Sequence, residues 1–316
     1  MDQPAHQPVM LAEVLKALAP VVNGRILDGT VGAGGHAEAI LEAGEGQLLG
    51  IDRDPRAVQI ARARLERFGS RAVVMEGSYD EAHEAMKELG WEKVEGMVFD
   101  LGVSSMQLDE PARGFAFSAE GPLDMRMGRD GPTAGELVNT LPEAELARIF
   151  SRYGQEPLAR AVARAIVRAR ARQPITTTTQ LAEIVSQAMG ARRRAKARRH
   201  PATRVFMALR IAVNEELARL GRLLERFVHW LAPGGVIVIL TYHSLEDRLV
   251  KRAFAALARP CTCPPSLAVC VCGRRPLLTL PPGQPLCPSA REIQANPRAR
   301  SAKMRIGVRT EHEPWN

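Results

Sequence analysis

The run Ile26-Leu27-Asp28-Gly29-Thr30-Val31-Gly32-Ala33-Gly34-Gly35-His36, followed by Asp52, combines residue types that hold a nucleotide-like ligand. Glycines let the backbone turn tightly and approach a ligand, helix amides point into the gap, and an acid ending the next strand can hold both ribose hydroxyls. Gly32-x-Gly34-x-x-Ala37 also satisfies the relaxed dinucleotide pattern, so the glycines alone do not choose the ligand. Asp28 discriminates. A carboxylate at that turn repels a diphosphate, whereas S-adenosylmethionine carries no phosphate and is cationic at its ammonium and sulfonium. The alternative task for Asp28 is to stabilise the turn or cap the helix. The charge argument favours the methyl donor over a nicotinamide dinucleotide.

The elements that must position these residues alternate. The sequence predicts strands at 25–28, 47–52, 72–76 and 94–100, and a short apolar strand at 236–241 after Ala232-Pro233-Gly234-Gly235. Helices are expected from His36 to about Ala43, after the Asp54 N-cap with Pro55 at N1, and over 81–89. From Gln107 to about Arg204 strand signals are absent; Pro111, Pro122, Pro132 and Pro142 punctuate the start, and helical patterns cover about 143–152, 157–172 and 179–189. Helix resumes near Phe206 and from Glu215 to Leu231. This order implies an α/β fold, a doubly wound Rossmann-like methyltransferase domain (1–106 and 206–316) interrupted by a helical insertion (107–205). Ligands of open parallel sheets bind beyond the carboxyl ends of the strands, so Asp28, Asp52, the Gly77-Ser78-Tyr79 turn, Asp100 and the Tyr242-His243-Ser244 turn should face one crevice.

The chain has 316 residues, 46% of them hydrophobic and 25% charged, enough for a full core. No apolar run reaches the length of a membrane helix, and Asp2, Glu13 and Lys16 stand where a signal peptide needs a basic start and an apolar centre. A cytoplasmic protein without membrane association is expected. The net charge of +8 is unevenly placed. Between Leu158 and Val205 twelve Lys or Arg (Arg160, Arg164, Arg168, Arg170, Arg172, Arg192, Arg193, Arg194, Lys196, Arg198, Arg199 and Arg204) face the single acid Glu183. Arg outnumbers Lys throughout, but a preference for Arg does not explain missing acids. Arg160, Arg164 and Arg168 share one helix face, and a polyanion is the economical partner, with Arg192, Arg193, Arg194, Lys196, Arg198 and Arg199 as the densest contact. Arg298, Arg300, Lys303 and Arg305 offer either a second phosphate contact or an edge strand with exposed charges.

Cys261-x-Cys263 and Cys270-x-Cys272, with Cys287 left over, do not resemble a distributed disulfide framework. Four thiolates can bind zinc, but the one-residue spacing is tighter than usual and the Pro264-Pro265 loop can be purely structural. The expectation is no metal, with zinc at these four cysteines as the lesser alternative.

Several blocks are more specific than the glycine turn: His6-Gln7-Pro8-Val9-Met10-Leu11, Asp28 to His36, Asp52-Arg53-Asp54-Pro55, Asp100-Leu101-Gly102-Val103-Ser104-Ser105, Arg113-Gly114-Phe115, Gly121 to Met127, His200-Pro201-Ala202-Thr203-Arg204, Tyr242 to Arg248 and Asn296 to Ser301. Together, across nearly the whole chain, they resemble the bacterial ribosomal RNA small subunit methyltransferase H family, also called MraW. The resemblance implies N4-methylation of a cytidine in the decoding region of 16S ribosomal RNA, with S-adenosylmethionine as donor and the small ribosomal subunit as partner. It implies cofactor contacts at Gly34, Gly35, His36, Asp52, Tyr79, Asp100 and Gln107. The position of Tyr79 is more often phenylalanine in that family, which retains a stacking role and leaves a hydroxyl contact unsupported.

Methyl transfer is an in-line displacement on an already activated carbon, so alignment and exclusion of water are the main tasks. The cytosine amine is a weak nucleophile, and acceptors for its hydrogens would help. Amino-methyltransferases often place an Asp/Asn-Pro-Pro-aromatic element after strand four; this chain has Asp100-Leu101-Gly102-Val103. With Asp100 assigned to the cofactor, the acceptor is unassigned, and His243, Ser244 and Asp124 are the candidates. Two other classes stay open: a non-catalytic, cofactor-sensing RNA-binding assembly factor, and a nicotinamide-dependent oxidoreductase. Either a monomer or a homodimer is compatible with the sequence.

Overall fold

The computed structural model describes residues 8–190, 200–264, 267 and 269–315. Two compact units divide the chain, one of Met1–Gly102 with Leu217–Asn316, the other of Val103–Glu216. The insertion therefore begins and ends elsewhere than at 107 and 205. The reason is packing. The helix Thr203–Asn214 buries Val205, Phe206, Leu209 and Val213 in the same apolar cluster as Phe150, Ile166 and Val185, so it belongs to the insertion.

The larger unit is built on seven strands: β1 (Arg25–Asp28), β2 (Gln47–Asp52), β3 (Ala72–Glu76), β4 (Val94–Asp100), β5 (Leu231–Thr241), β6 (Leu278–Thr279) and β7 (Lys303–Arg309). Their order is β3-β2-β1-β4-β5-β7-β6. The first five are parallel, while β7 runs antiparallel to both β5 and β6. The first four strands and their apolar runs match the sequence expectation residue for residue.

Alternation along each strand feeds two cores. Leu27, Leu49, Met97, Phe99, Ile237 and Ile239 face a layer with Met86, Leu223, Phe227, Val250 and Phe254. These come from the helices Ala82–Glu88, Glu216–Trp230 and Ser244–Ala258. Ile26, Leu48, Val98, Val238 and Leu240 face Val14, Leu18, Ile40, Val58, Ala61 and Leu65 on the opposite side. Those belong to α1 (Leu11–Leu18), α2 (Gly35–Ala43) and α3 (Pro55–Leu65). A sheet covered on both faces reads as near-continuous apolar strands, which is why the sequence made them visible. Asp54 caps α3 by accepting from the Arg56 amide at 3.1 Å, with Pro55 in the first turn.

The C-terminal stretch corrects one expectation. Lys303 and Arg305 lie on an internal strand, not an edge, and both reach Asp247, at 3.2 and 2.8 Å. Arg305 is buried and serves the fold and not a phosphate, while the half-exposed Lys303 shares its ion pair with Asp247.

The insertion is helical, with Glu143–Arg152, Ala159–Arg170, Thr178–Met189 and Thr203–Asn214 as its longer elements. Ala159–Arg170 buries Val162, Ala163 and Ile166 and leaves Arg160, Arg164 and Arg168 exposed on the other face. Reciprocal side-chain and backbone bonds between Thr177 and Gln180 start the Thr178–Met189 helix. Residues 191–199, which carry Arg192, Arg193, Arg194, Lys196, Arg198 and Arg199, lie outside the described residues. Among the described residues, no helix is long and apolar enough to cross a membrane.

Candidate cofactor site

Three neighbouring strands, β2, β1 and β4, end on acids at one edge of the sheet: Asp52, Asp28 and Asp100. The strand order reverses between β1 and β4, where doubly wound sheets open a ligand crevice. The turn after β1 is held from both sides, since Gly29 N donates to Val98 O at 3.0 Å and Val31 N to Ile51 O at 2.9 Å. A Cβ on Gly29 would stand 2.3 Å from the Phe99 ring and 2.9 Å from Tyr79 Cβ, so only glycine lets the turn after β1 pass against these side chains. Gly34 begins α2 with φ of 82°, a conformation that other residues adopt at a cost.

Asp28 is 2% exposed. Its Oδ1 accepts from the Thr30 amide at 3.1 Å, the turn-stabilising role, while Oδ2 is buried without a hydrogen-bond partner. Burial pushes its carboxyl up to about 8, and the nearby Asp100 and Asp52 add to this against the pull of the Thr30 amide. Without ligand the group is therefore mostly neutral at pH 7, which refines the picture of a ready negative charge. Asp52 accepts from Gly32 N through Oδ2 and from Asp54 N through Oδ1, both at 2.9 Å. Burial raises it to about 6, and these two amides oppose the rise.

Asp100 accepts from the Tyr242 hydroxyl at 2.6 Å, and its own amide donates to Thr30 Oγ1, also at 2.6 Å. Its Oδ2 lies 3.9 Å from His36 Nδ1. His36 is buried, and its Nε2 is 3.0 Å from Val9 O, which fixes the ring with Nδ1 toward Asp100. Tyr79 packs edge-on against Phe99 at 5.9 Å between centroids. The turn that carries it is anchored by Asp80, which is buried and takes Ser78 Oγ, Arg222 Nε at 2.8 Å and Arg219 Nη1 at 3.4 Å. Burial alone would raise the Asp80 carboxyl, but Ser78 and the two arginines hold it below its usual value.

Of the residues expected to touch a cofactor, Gly34, Gly35, His36, Asp52, Tyr79 and Asp100 lie in the larger unit on adjoining turns. Gln107 belongs to the insertion, where it is buried and its Oε1 caps Ser104 N at 3.1 Å. Asp124 is also in the insertion, paired with Arg126 at 2.7 and 3.0 Å. Burial works to raise its carboxyl, yet Arg126 holds it down. His243 caps the helix Ser244–Ala258: its Nδ1 accepts from Glu246 N at 3.4 Å, and Glu246 Oε2 takes the amides of Tyr242 and His243. Its Nε2 is 3.1 Å from Glu246 Oε1 but off the hydrogen-bonding direction. Ser244 is exposed in the first turn of that helix. Tyr242 reaches the site on the turn expected to face the crevice, and Thr30, given no role of its own from the sequence, joins it; the signal available was its place two residues past a strand end.

The residues pass a test for a cationic, phosphate-free ligand. Three acids crowd one sheet edge, two are pushed upward by burial, and one buried oxygen has no partner. A diphosphate would worsen that repulsion, while a cation relieves it. The doubly wound sheet and this turn define a Rossmann-like methyltransferase, a class that uses S-adenosylmethionine.

The chain belongs to the MraW methylase family, whose model matches residues 3–310. A protein of Oleidesulfovibrio alaskensis is 52% identical over 309 residues, covering 96% of this chain and 95% of its own length. Another, from Thermomicrobium roseum, is 51% identical over 314 residues, covering 98% and 94%. Both carry the name Ribosomal RNA small subunit methyltransferase H.

Proposed function

We propose that this protein methylates the exocyclic N4 of a cytidine in the decoding region of 16S ribosomal RNA. The observation that carries the chemistry is the trio Asp28, Asp52 and Asp100 at adjacent strand ends around a glycine turn. Support for the substrate comes from the two relatives' shared name and from the exposed row Arg160, Arg164 and Arg168 on the insertion.

When bound, the cofactor supplies a methyl carbon already activated by its sulfonium. The chain's residues then bind, orient and exclude water. Gly34, Gly35 and His36 would hold it at the turn, Asp52 at the ribose, Tyr79 by stacking, and Asp100 and Gln107 by hydrogen bonds. Asp28 would balance the positive charge. The amine hydrogens need acceptors as nitrogen attacks, and His243, Ser244 and Asp124 are the candidates. Of these, Asp124 is bonded to Arg126, His243 caps its helix, and Ser244 is exposed in the first turn of that helix. A cytidine must leave its stack to react, and arginines that grip phosphates leave the base free.

Radiolabelled methyl transfer to isolated small subunits, followed by nucleoside mass analysis, tests the proposal. N4-methylcytidine is the expected product. Label on another nucleoside overturns the substrate assignment, and cofactor binding without transfer favours the assembly-factor reading.

A further inference from the structure

We propose that Cys261, Cys263, Cys270 and Cys272 form a structural zinc tetrathiolate. All four Sγ atoms lie within 4.8 Å of one another. Cys261 and Cys270 are 3.5 Å apart, Cys263 and Cys270 3.8 Å, and Cys270 and Cys272 3.4 Å. A tetrahedron with zinc–sulfur bonds of about 2.3 Å has edges of about 3.8 Å, close to these separations. They are far beyond a disulfide bond, and they leave no space for a cluster that would put different thiolates on different irons.

The surroundings suit thiolates. Val271 N is 3.4 Å from Cys263 Sγ, and the amides of Arg274 and Thr262 donate to Cys272. Amide donors of this kind are the partners that settle thiolate ligands around a metal. Arg259, Arg274 and Arg275 flank the cysteines in the sequence and carry the charge opposite to that of a doubly negative tetrathiolate zinc centre.

Among the described residues, apolar burial does not fasten this loop. Leu267, Val269 and Val271 are 48%, 73% and 75% exposed, so its apolar side chains build no core. Its ends, by contrast, are pinned: Leu277 N donates to Leu257 O at 2.8 Å, and Trp315 Nε1 to Arg275 O at 2.9 Å. A metal supplies to such a segment the cross-link that burial does not. Each thiol gives its proton to solvent as its sulfur takes the ion, so binding weakens as the pH falls. The one-residue spacing that counted against zinc in the sequence is offset by the fold, which brings two such dithiols face to face.

The test uses the full chain, expressed with added zinc and purified without chelators. Elemental analysis should find about one zinc per chain, retained in Cys287→Ser and lost in Cys263→Ser and Cys270→Ser. Cobalt exchanged into the parent protein should give the intense visible bands of tetrahedral thiolate ligation. Thiol titration should find only Cys287 reactive in the loaded protein and all five cysteines reactive after chelation. Reduced, folded protein that takes up neither zinc nor cobalt overturns the proposal. So does bound iron, or mass-spectrometric evidence of disulfides among these four.

Discussion

Asp28→Asn keeps the shape of the side chain and removes its proton equilibrium. The native carboxyl is raised to about 8 from an ordinary value of 3.8, by burial first and then by Asp100 and Asp52. Between those values the folded chain holds a proton that the unfolded chain has released. The contribution of this group to stability is therefore fully present below the unfolded value and is lost as pH rises toward the folded one. The slope is about 1.4 kcal/mol per pH unit, so the parent should lose about 3 kcal/mol relative to the variant between about pH 5 and about pH 7. Urea unfolding of both proteins across that range measures it. Parallel curves would refute the reasoning, because they would mean that Asp28 is charged in the native pocket. The same equilibrium predicts a ligand effect: a cation favours the carboxylate, so S-adenosylmethionine should expel close to one proton at about pH 7, where the free group is about nine-tenths protonated. Calorimetry in buffers of different ionisation enthalpy should detect this release in the parent and not in Asp28→Asn.

Tyr242→Phe removes the 2.6 Å donor to Asp100, a charge-assisted bond worth about 1.5–3 kcal/mol. Calorimetry should show weaker binding of S-adenosylhomocysteine, and unchanged affinity would argue against Asp100 as a cofactor contact. Asp80→Asn leaves Arg219 and Arg222 without their buried charge and should cost about 3–5 kcal/mol in thermal unfolding. Because the Asp80 carboxyl is held low, its contribution is present at neutral pH and fades as pH drops through the folded value; a variant deficit that persists undiminished in acid would contradict this. Replacing Arg192, Arg193 and Arg194 with neutral residues should weaken RNA binding and flatten its salt dependence while leaving cofactor affinity intact. Equal loss of both affinities would rule out a separate phosphate-gripping role.

Much of the larger unit was legible because its signals are local. Apolar runs ending on Asp28, Asp52 and Asp100, the glycine turn and the Asp54-Pro55 cap each draw their structure from a few adjacent residues. The insertion's helices were visible for the same reason, through their 3.6-residue period. Its limits were not, because whether Thr203–Asn214 joins one core or the other depends on what its apolar stripe meets.

By itself, then, the sequence determined that a parallel sheet exists, which residues end its strands, and that a basic helical segment interrupts it. Local propensity and periodicity suffice for that. Tertiary structure alone decided that the last strand enters antiparallel between β5 and β6, that Lys303 and Arg305 answer Asp247, and that Tyr242 donates to Asp100 across 142 residues of chain. It also decided that Asp28 is too deeply buried to carry its charge alone, and that four cysteine sulfurs share one small volume. Desolvation and pairing are properties of a neighbourhood, and these neighbours come from distant parts of the chain.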